Sequence, residues 1–279
     1  MKSTLKLLHL FNSISSAIAV IIGYLITAWH HELRIEGGPM VGAALATALL
    51  SIGGFVINDI FDVRIDRVNR PDRPLAAGEV TMPVAWAIYV GATALGLLLA
   101  FWVNVTSGMV AVAIAILLFL YSWLLKQRFL VGHLAIAVMG AALLPFGALA
   151  IEKPLPVLYS TFIVFPAFIA REILKTVPDY AGDKAHNVDN LATRYGPKIA
   201  FRAAQAILLI PVLALPLMLR LWPLNALYMV VVALVIWPVV VYAFYKTTPE
   251  RANTLIMVSK MLFLLTGVAL LLGSLPVVS

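Results

Sequence analysis

The sequence predicts an all-α membrane protein built from nine transmembrane helices, and three observations lead to this fold class. Apolar residues make up 62% of the 279 residues, while charged residues make up only 12%, about half of the roughly 25% that soluble domains carry. The apolar residues fall into stretches of about twenty, the length that crosses a bilayer as a helix. Two loops between these stretches are long and charged. A single polytopic membrane domain over residues 1–279 is therefore expected, with lipid as its solvent.

The predicted spans are separated by short turns, with two exceptions. They cover residues 7–29, 38–57, 84–103, 105–125, 130–150, 155–174, 199–220, 224–245 and 254–276. The first stretch is longer than the apolar core of a signal peptide, about 7–15 residues, so it is expected to be a span. The two long connections, residues 58–83 and 175–198, each contain an aspartate motif.

The distribution of Lys and Arg predicts which side of the membrane each loop occupies. If the N-terminus is cytosolic, both long loops face the cytosol, and 17 of the 20 basic residues lie near that face, all but Arg34, Lys153 and Arg220. This asymmetry follows the positive-inside rule, so we expect a multi-pass protein of the cell membrane with its charged loops on the cytosolic side. The net charge of +7 then reflects topology and anionic lipid headgroups. No nucleic-acid partner is expected, and the absence of cysteine excludes disulfides and thiolate metal sites.

Three aspartates follow the second predicted span at a helical spacing. Asp59, Asp62 and Asp66 recur at i, i+3 and i+7, and Asn58 lies four residues before Asp62. If the helix of the span continues, all four side chains share one face. Like charges on one face repel each other, so this face needs a counter-charge.

A hard divalent cation is the simplest counter-charge for this face. Arg64 and Arg67 stand two or five positions from an aspartate and should point elsewhere. Mg²⁺ takes one or two carboxylates, several waters and the phosphate oxygens of a substrate, so a magnesium–phosphate site is predicted. The alternative is a solvated helix end with surface ion pairs, but three acids and an amide on one stripe at a membrane boundary favour a functional site.

The loop after this helix is predicted to bring arginines to the aspartates. Pro71 and Pro74 prevent the helix from continuing, and Gly78 permits a turn. Arg70 and Arg73 then lie near the aspartate face, where guanidinium groups suit phosphate oxygens. The alternative is that these arginines only anchor the loop to lipid headgroups.

A second acidic motif follows the sixth predicted span. Asp179 and Asp183 are four residues apart, and Pro178 is suited to begin a short helix with Asp179 in its first turn. Arg171 and Lys175, one turn apart near the end of the span, could meet the same anion as the metals. These two basic residues are therefore counted as candidate diphosphate ligands.

Tyr121 and Lys126 close the fourth predicted span on the cytosolic side and could also reach a phosphate. A lysine that extends its charge to the headgroup layer would explain Lys126 equally well. The sequence contains no glycine-rich phosphate loop, serine-centred elbow or HExxH zinc motif.

Two carboxylate clusters on one side of a membrane, each with Mg²⁺, would clamp a diphosphate and neutralise the charge that develops as it leaves. A long isoprenyl diphosphate would place its head at the interface and its tail among the spans, whose apolar walls keep water away from the allylic carbocation. The prediction is prenyl transfer from a diphosphate donor to a lipophilic acceptor. A transporter is the main alternative, but transporters keep ionisable groups at the bilayer midplane. A structural or assembly protein would leave the aspartate faces unexplained.

The chain resembles the UbiA superfamily of intramembrane prenyltransferases in three patterns: Asn58-Asp59-x-x-Asp62-x-x-x-Asp66, Asn69-Arg70-Pro71-Asp72-Arg73-Pro74-Leu75 with Gly78, and Asp179-x-x-x-Asp183. The resemblance covers essentially the whole chain. It implies nine helices in a ring around a central cavity, capped by the two Asp-bearing loops. It also implies that Mg²⁺–diphosphate is bound by Asn58, Asp59, Asp62, Asp66, Asp179 and Asp183, with Arg73, Lys126 and Tyr121 near the phosphates.

Within the superfamily, the arginine–proline segment and residues 171–175 resemble the digeranylgeranylglyceryl phosphate synthases, which make archaeal-type ether lipids. The resemblance implies geranylgeranyl diphosphate as donor and geranylgeranylglyceryl phosphate as acceptor, with no obligate protein partner. Prenylation of a quinone precursor such as 4-hydroxybenzoate, or a chlorophyll-type esterification, remains open. Three residues depart from the family pattern. His9 occupies a position where an Arg is usual, Thr176 a position where an Asp is common, and His133 a position where an Asn is frequent.

Overall fold

Helices account for every regular element in the part of the chain that the structure, a computed structural model, describes: residues 6–185, 187–221 and 224–275. The helices are α1 (Leu10–His30), α2 (Gly37–Asn69), α3 (Met82–Val103), α4 (Val105–Trp123), α5 (Val131–Ala141), α6 (Leu143–Leu149), α7 (Leu155–Lys175), α8 (Tyr180–Ala185), α9 (Leu191–Tyr195), α10 (Pro197–Ala214), α11 (Met218–Leu221), α12 (Ala226–Val231), α13 (Trp237–Lys246) and α14 (Ala252–Gly273). Within these described residues, nine helical stretches are long and apolar enough to cross a membrane. The predicted all-α, nine-span fold class is confirmed.

Prolines interrupt several of the spans that the apolar pattern had predicted as continuous, among them the fifth and the eighth. The span predicted at residues 130–150 breaks into α5 and α6, because Pro145 has no N–H to donate to the carbonyl of Ala141. In the eighth span a π turn, Val232–Ile236, lies just before Pro238 for the same reason. Neither break interrupts the crossing of the membrane.

The helix α2 is much longer than a bilayer requires. Its 33 residues extend about 50 Å at roughly 1.5 Å per residue, whereas the hydrocarbon core is about 30 Å thick. The predicted continuation of the second span is therefore confirmed, and the last turns of α2 carry Asp59, Asp62 and Asp66 to one end of the bundle.

The crossing of α1 and α6 depends on glycine. A Cβ atom on Gly23 would overlap the backbone carbonyl of Leu144, and one on Gly147 would overlap the carbonyl of Val20. Small residues allow membrane helices to approach this closely, so that backbone atoms of the two helices are in contact. This crossing fixes α1 against the fifth span and thereby sets the position of the segment at its N-terminal end.

The spans surround a cavity of about 1510 Å³, to which every span except α3 contributes a lining residue. This volume exceeds the roughly 300–1,000 Å³ of ordinary small-molecule sites. Several lining side chains are also exposed on the outer surface: Phe11 and Ile18 on α1, and Met257, Met261 and Leu264 on α14. The cavity therefore opens sideways, between the first and last helices, toward the lipid-facing surface.

Candidate active site

All twelve side chains that the sequence predicts for the site line this one cavity. They are Asn58, Asp59, Asp62, Asp66, Arg70, Arg73, Tyr121, Lys126, Arg171, Lys175, Asp179 and Asp183. They come from α2 and the loop after it, from α4 and the turn that follows it, from the end of α7, and from α8 with the segment that leads into it. Residues up to 125 positions apart in the sequence thus face the same space.

Arg73 holds the first aspartate face together. Its Nη1 donates hydrogen bonds to Oδ1 of Asp59 at 2.9 Å and to Oδ2 of Asp66 at 2.7 Å, and both aspartates are buried. Burial alone would lower the pKa of the Arg73 guanidinium, but the neighbouring carboxylates outweigh it and raise that pKa. Arg64, on the helix itself, is exposed as predicted.

Arg73 thus reaches the aspartate face from the following loop, as the sequence predicted, and it shares the role of counter-charge with any metal ion. The loop that begins at Pro71 folds back over α2, with Arg73 N donating to Arg70 O at 3.0 Å and Ala77 N to Arg73 O at 2.8 Å. The signal in the sequence was the helix-ending Pro71 and Pro74 with Gly78, and not the spacing along α2, because the arginine returns from outside the helix.

Lys126 neutralises Asp62, the aspartate of this face that Arg73 does not contact. Its Nζ forms an ion pair with Asp62 and donates to Oδ1 of Asn58 at 3.4 Å, while Asn58 Nδ2 donates to Oδ2 of Asp62 at 2.9 Å. The lysine side chain is only 12% exposed, so it points into the cavity instead of extending to the headgroups. The 3-10 turn Leu125–Gln127 positions it against Gly132, where a Cβ atom would lie 2.8 Å from the Cα of Lys126.

His9 belongs to the same group of side chains, although sequence reasoning did not select it as a site residue. It lies directly before α1 with a left-handed backbone, φ 46°, and its ring stacks on Phe55 with centroids 4.8 Å apart. His9 Nε2 is 2.9 Å from Oδ2 of Asp59. Fifty residues separate the two side chains in the chain, and no local pattern links them.

The second aspartate motif faces the first across the cavity mouth. Arg70 Nη2 lies 3.2 Å from Oδ2 of Asp179, and this ion pair joins the two loops. Because both side chains are more than 40% exposed, the pair contributes only about 0–1 kcal/mol. The helix predicted to start at Pro178 begins instead at Tyr180, so Asp179 precedes it, and the backbone carbonyl of Asp179 accepts from the N–H of Asp183 at 2.9 Å.

Asn190 supports the second motif and was also missed by sequence reasoning. Its Nδ2 donates to Oδ2 of Asp183 at 2.7 Å, while its Oδ1 accepts from the N–H of Thr193 at 3.0 Å and caps α9. Asn190 is 4% exposed. It therefore couples the position of Asp183 to the short helix α9. An Asn three residues before a Thr is the capping signal that could have identified it.

Glu172 is a buried carboxylate between Arg171 and Lys175. Its Oε1 accepts from Lys175 Nζ at 2.5 Å and from Arg171 Nη1 at 3.3 Å. Tyr121 lies close enough to interact electrostatically with both Glu172 and Asp62. The residues predicted as diphosphate ligands thus form two connected groups, one around the aspartates and one around Glu172.

Thr176, which stands where the family pattern has an Asp, does not replace that carboxylate. Its hydroxyl donates to the carbonyl of Ile173 at 2.7 Å. His133, the other departure on this side of the cavity, lies within electrostatic range of Glu172.

The aspartate end of the cavity fits Mg²⁺ that arrives with a phosphate ligand. Among the described residues no three acidic or imidazole side chains converge on a ready-made metal position. Mg²⁺ does not need one, since one or two carboxylates suffice when waters and phosphate oxygens complete the octahedron. Five aspartates face three cations here, Arg70, Arg73 and Lys126, so the end keeps an excess of negative charge and a set of hard oxygen donors.

The comparisons with known proteins agree on one family. The sequence profile of the UbiA prenyltransferase family matches residues 16–272. The chain is 31% identical to the digeranylgeranylglyceryl phosphate synthase of Saccharolobus solfataricus, covering 99% of this chain and 98% of the relative. It is 33% identical to the protein of the same name from Metallosphaera sedula, covering 99% and 97%.

Solved structures share the fold over nearly the full length. A digeranylgeranylglyceryl phosphate synthase structure superposes with a TM-score of 0.78 at 27% identity, covering 98% of each chain. A UbiA homologue from Archaeoglobus fulgidus bound to GPP and Mg²⁺ gives a TM-score of 0.67 at 20% identity, covering 95% of this chain and 99% of that one. The predicted ring of helices around a central cavity is confirmed.

Proposed function

The chain belongs to the UbiA prenyltransferase family, and from this premise we propose that it joins a geranylgeranyl group to geranylgeranylglyceryl phosphate. The C1–O bond of geranylgeranyl diphosphate breaks, diphosphate leaves with the electron pair, and the glycerol hydroxyl forms the new ether bond as it loses its proton. The product is the digeranylgeranylglyceryl phosphate of an archaeal-type ether lipid.

One observation carries this proposal: a large apolar cavity ends in a group of carboxylates and cations drawn from two loops. The apolar walls suit two isoprenoid tails and exclude water from an allylic cation. The polar end suits a departing diphosphate. The names of the relatives, which match over almost their whole length, support the choice of acceptor.

The roles of the side chains follow from their contacts. Mg²⁺ held by Asp59, Asp62, Asp66, Asp179 and Asp183, with Asn58 beside them, would supply positive charge to the diphosphate as it leaves. Arg73 and Lys126 already face the carboxylates and would bind the phosphate oxygens. Arg70, between the two loops, would hold the second motif over the first. Tyr121 would donate its hydroxyl toward the same group.

The same proposal places the site at the cytosolic face of the cell membrane and treats the chain as one domain. The concentration of basic residues on one side supports that orientation. Each substrate would then place its phosphate head at the water-facing end of the cavity and its isoprenoid tail among the apolar walls.

A direct assay tests the proposal and its alternatives together. Membranes that contain the protein are incubated with Mg²⁺ and labelled geranylgeranyl diphosphate, with geranylgeranylglyceryl phosphate and 4-hydroxybenzoate offered in parallel. Label is expected in digeranylgeranylglyceryl phosphate. Label in the aromatic product alone would show that the acceptor is the quinone precursor. Substrate flux through sealed vesicles without any covalent product would show that the protein is a transporter.

A further inference from the structure

A second group of charged side chains lines the cavity apart from the aspartates. This basic cluster consists of Arg171 and Lys175 on α7 and Lys260 on α14, with Glu172 between the first two. Leu174 on α7 and Leu255 on α14 belong to one buried apolar cluster, which holds the two helices together near these residues. Lys260 lies close enough for its charge to interact with those of Arg171 and Lys175.

The charge of the basic cluster is opposite to that of the aspartate end. Three cations face one carboxylate, Glu172, which is 5% exposed and already accepts hydrogen bonds from two of them. The cations repel each other across α7 and α14, and Glu172 can satisfy only part of that charge. An anion would relieve the repulsion, whereas a metal ion would increase it.

Arg171 supplies a second, independent sign of a ligand. Its Nε is buried and has no hydrogen-bond partner among the described residues, and its side chain is only 17% exposed. A buried donor that is left without a partner destabilises the protein, so its presence indicates that a ligand completes the hydrogen bond. A guanidinium whose Nη1 already donates to Glu172 and whose Nε is unpaired can donate one further hydrogen bond to an oxygen of a ligand.

We propose that the basic cluster of Arg171, Lys175 and Lys260 binds the phosphate of the acceptor lipid without a metal ion. The inference rests on the proposed function, because that function requires a second phosphate-bearing substrate in the same cavity. A phosphomonoester carries about −1.5 to −2 charge at neutral pH, which matches the excess of two positive charges here. The diphosphate, which comes with Mg²⁺, belongs at the acid-rich end instead.

This assignment changes the role that the sequence gave to Arg171 and Lys175, which were counted with the donor diphosphate. Glu172 becomes a positioning residue that holds both side chains at the cavity wall. Tyr121, which lies within electrostatic range of Glu172 and of Asp62, then stands between the two phosphate sites. The acceptor hydroxyl, a few bonds from its phosphate, would be directed toward the donor carbon.

A binding experiment tests the inference without any turnover. The wild-type protein in lipid nanodiscs is titrated, in EDTA, with geranylgeranylglyceryl phosphate and with geranylgeranylglycerol, which lacks the phosphate. The phosphate is expected to tighten binding in the absence of metal. Lys175→Gln and Lys260→Gln should each weaken binding of the phosphorylated lipid about tenfold, the loss expected for one charge-assisted hydrogen bond, and leave geranylgeranylglycerol unchanged.

The matched control is Lys246→Gln, which removes an exposed positive charge outside the cavity and should bind both lipids like wild type. Lys175→Arg should restore phosphate-dependent binding if a charge at this position is what matters. Equal affinity of the wild-type protein for the two lipids, or an unchanged phosphate preference in both glutamine variants, would overturn the inference.

Steady-state kinetics separates this inference from the proposed function. The KM for geranylgeranylglyceryl phosphate should rise about tenfold in Lys260→Gln, while the KM for geranylgeranyl diphosphate stays within about twofold. A rise in the KM for geranylgeranyl diphosphate alone would show that the basic cluster binds the donor diphosphate instead. If wild type makes no product from this acceptor yet binds it in a phosphate-dependent way, the proposed function fails and the phosphate site stands.

Discussion

His9 Nε2 lies 2.9 Å from Oδ2 of Asp59, while the other oxygen of that carboxylate accepts a hydrogen bond from Arg73 Nη1 at 2.9 Å. Two segments that are distant in the sequence, the start of α1 and the loop after α2, thus fix one buried carboxylate from both sides. The stacking of His9 on Phe55 restricts the imidazole further. Asp59 is therefore oriented before any substrate arrives.

Replacing His9 tests this orientation. His9→Phe keeps the ring stacked on Phe55 but removes the donor to Asp59, and a hydrogen bond to a charged group contributes about 1.5–3 kcal/mol. We expect kcat/KM for geranylgeranyl diphosphate to fall about 10- to 100-fold. His9→Arg, which restores the residue common in the family pattern, should retain most activity. Wild-type kinetics in His9→Phe would contradict a role for this contact.

Replacing Arg73 tests its function as the counter-charge of the aspartate face. Arg73→Met leaves the buried carboxylates of Asp59 and Asp66 without their common partner, a change that costs about 3–5 kcal/mol in buried pairs. We expect a lower unfolding midpoint in EDTA, and a larger recovery on addition of Mg²⁺ than wild type shows, because the cation can take the place of the guanidinium. Identical midpoints in EDTA would exclude this role.

The stability that Arg73 provides should not depend on pH in the working range. Its pKa is raised above an already high ordinary value by Asp59 and Asp66, which outweigh the effect of burial. A group with a raised folded-state pKa contributes stability that is fully present below its unfolded pKa and is lost only as the pH rises through the folded value. The destabilisation of Arg73→Met should therefore be undiminished up to about pH 9, well below the pH at which the guanidinium loses its proton.

Removal of metal ligands should abolish transfer and leave the fold intact. Asp62→Ala and Asp183→Ala are each expected to lower kcat at least about 1,000-fold, since several kcal/mol of charge stabilisation on the leaving diphosphate is lost. Excess EDTA should do the same to the wild-type protein. Glu79→Gln, an exposed carboxylate outside the cavity, is the matched control. Full activity in either alanine variant would refute the assigned role of its aspartate.

A single added methyl group at Gly132 should displace Lys126. A Cβ at this position would lie 2.8 Å from the Cα of Lys126 and 3.0 Å from the carbonyl oxygen of Leu125, so the 3-10 turn has to move. We expect Gly132→Ala to raise the KM for the donor severalfold, about 1 kcal/mol of lost binding. Gly91→Ala on α3, where a Cβ meets open space, should leave the KM unchanged.

The sequence predicted those parts of the site that depend on spacing within one segment. Asp59, Asp62 and Asp66 share a face because a helix repeats every 3.6 residues, and Pro71 and Pro74 end that helix wherever the rest of the chain lies. The contacts of His9 and Lys260 could not be predicted in this way. Each connects helices far apart in the sequence, and helix packing alone brings them to the site.

The start of the second short helix shows the limit of local signals. Pro178 was expected at its first position, but the helix begins at Tyr180, which leaves Asp179 free to meet Arg70. Glu172 was visible in the sequence but had no distinguishing pattern. Its importance appears only when Arg171 and Lys175 are seen to converge on one of its oxygens.

The sideways opening between α1 and α14, bordered by Phe11, Ile18, Met257, Met261 and Leu264, has a kinetic consequence. An acceptor that enters through it is never dissolved in water, so its effective concentration is its mole fraction among the surrounding lipids. Adding inert phospholipid at constant protein and acceptor amounts should then slow the reaction by surface dilution, while adding buffer should not. The donor carries a geranylgeranyl tail as well, so the same surface dilution is expected to slow its delivery to the site.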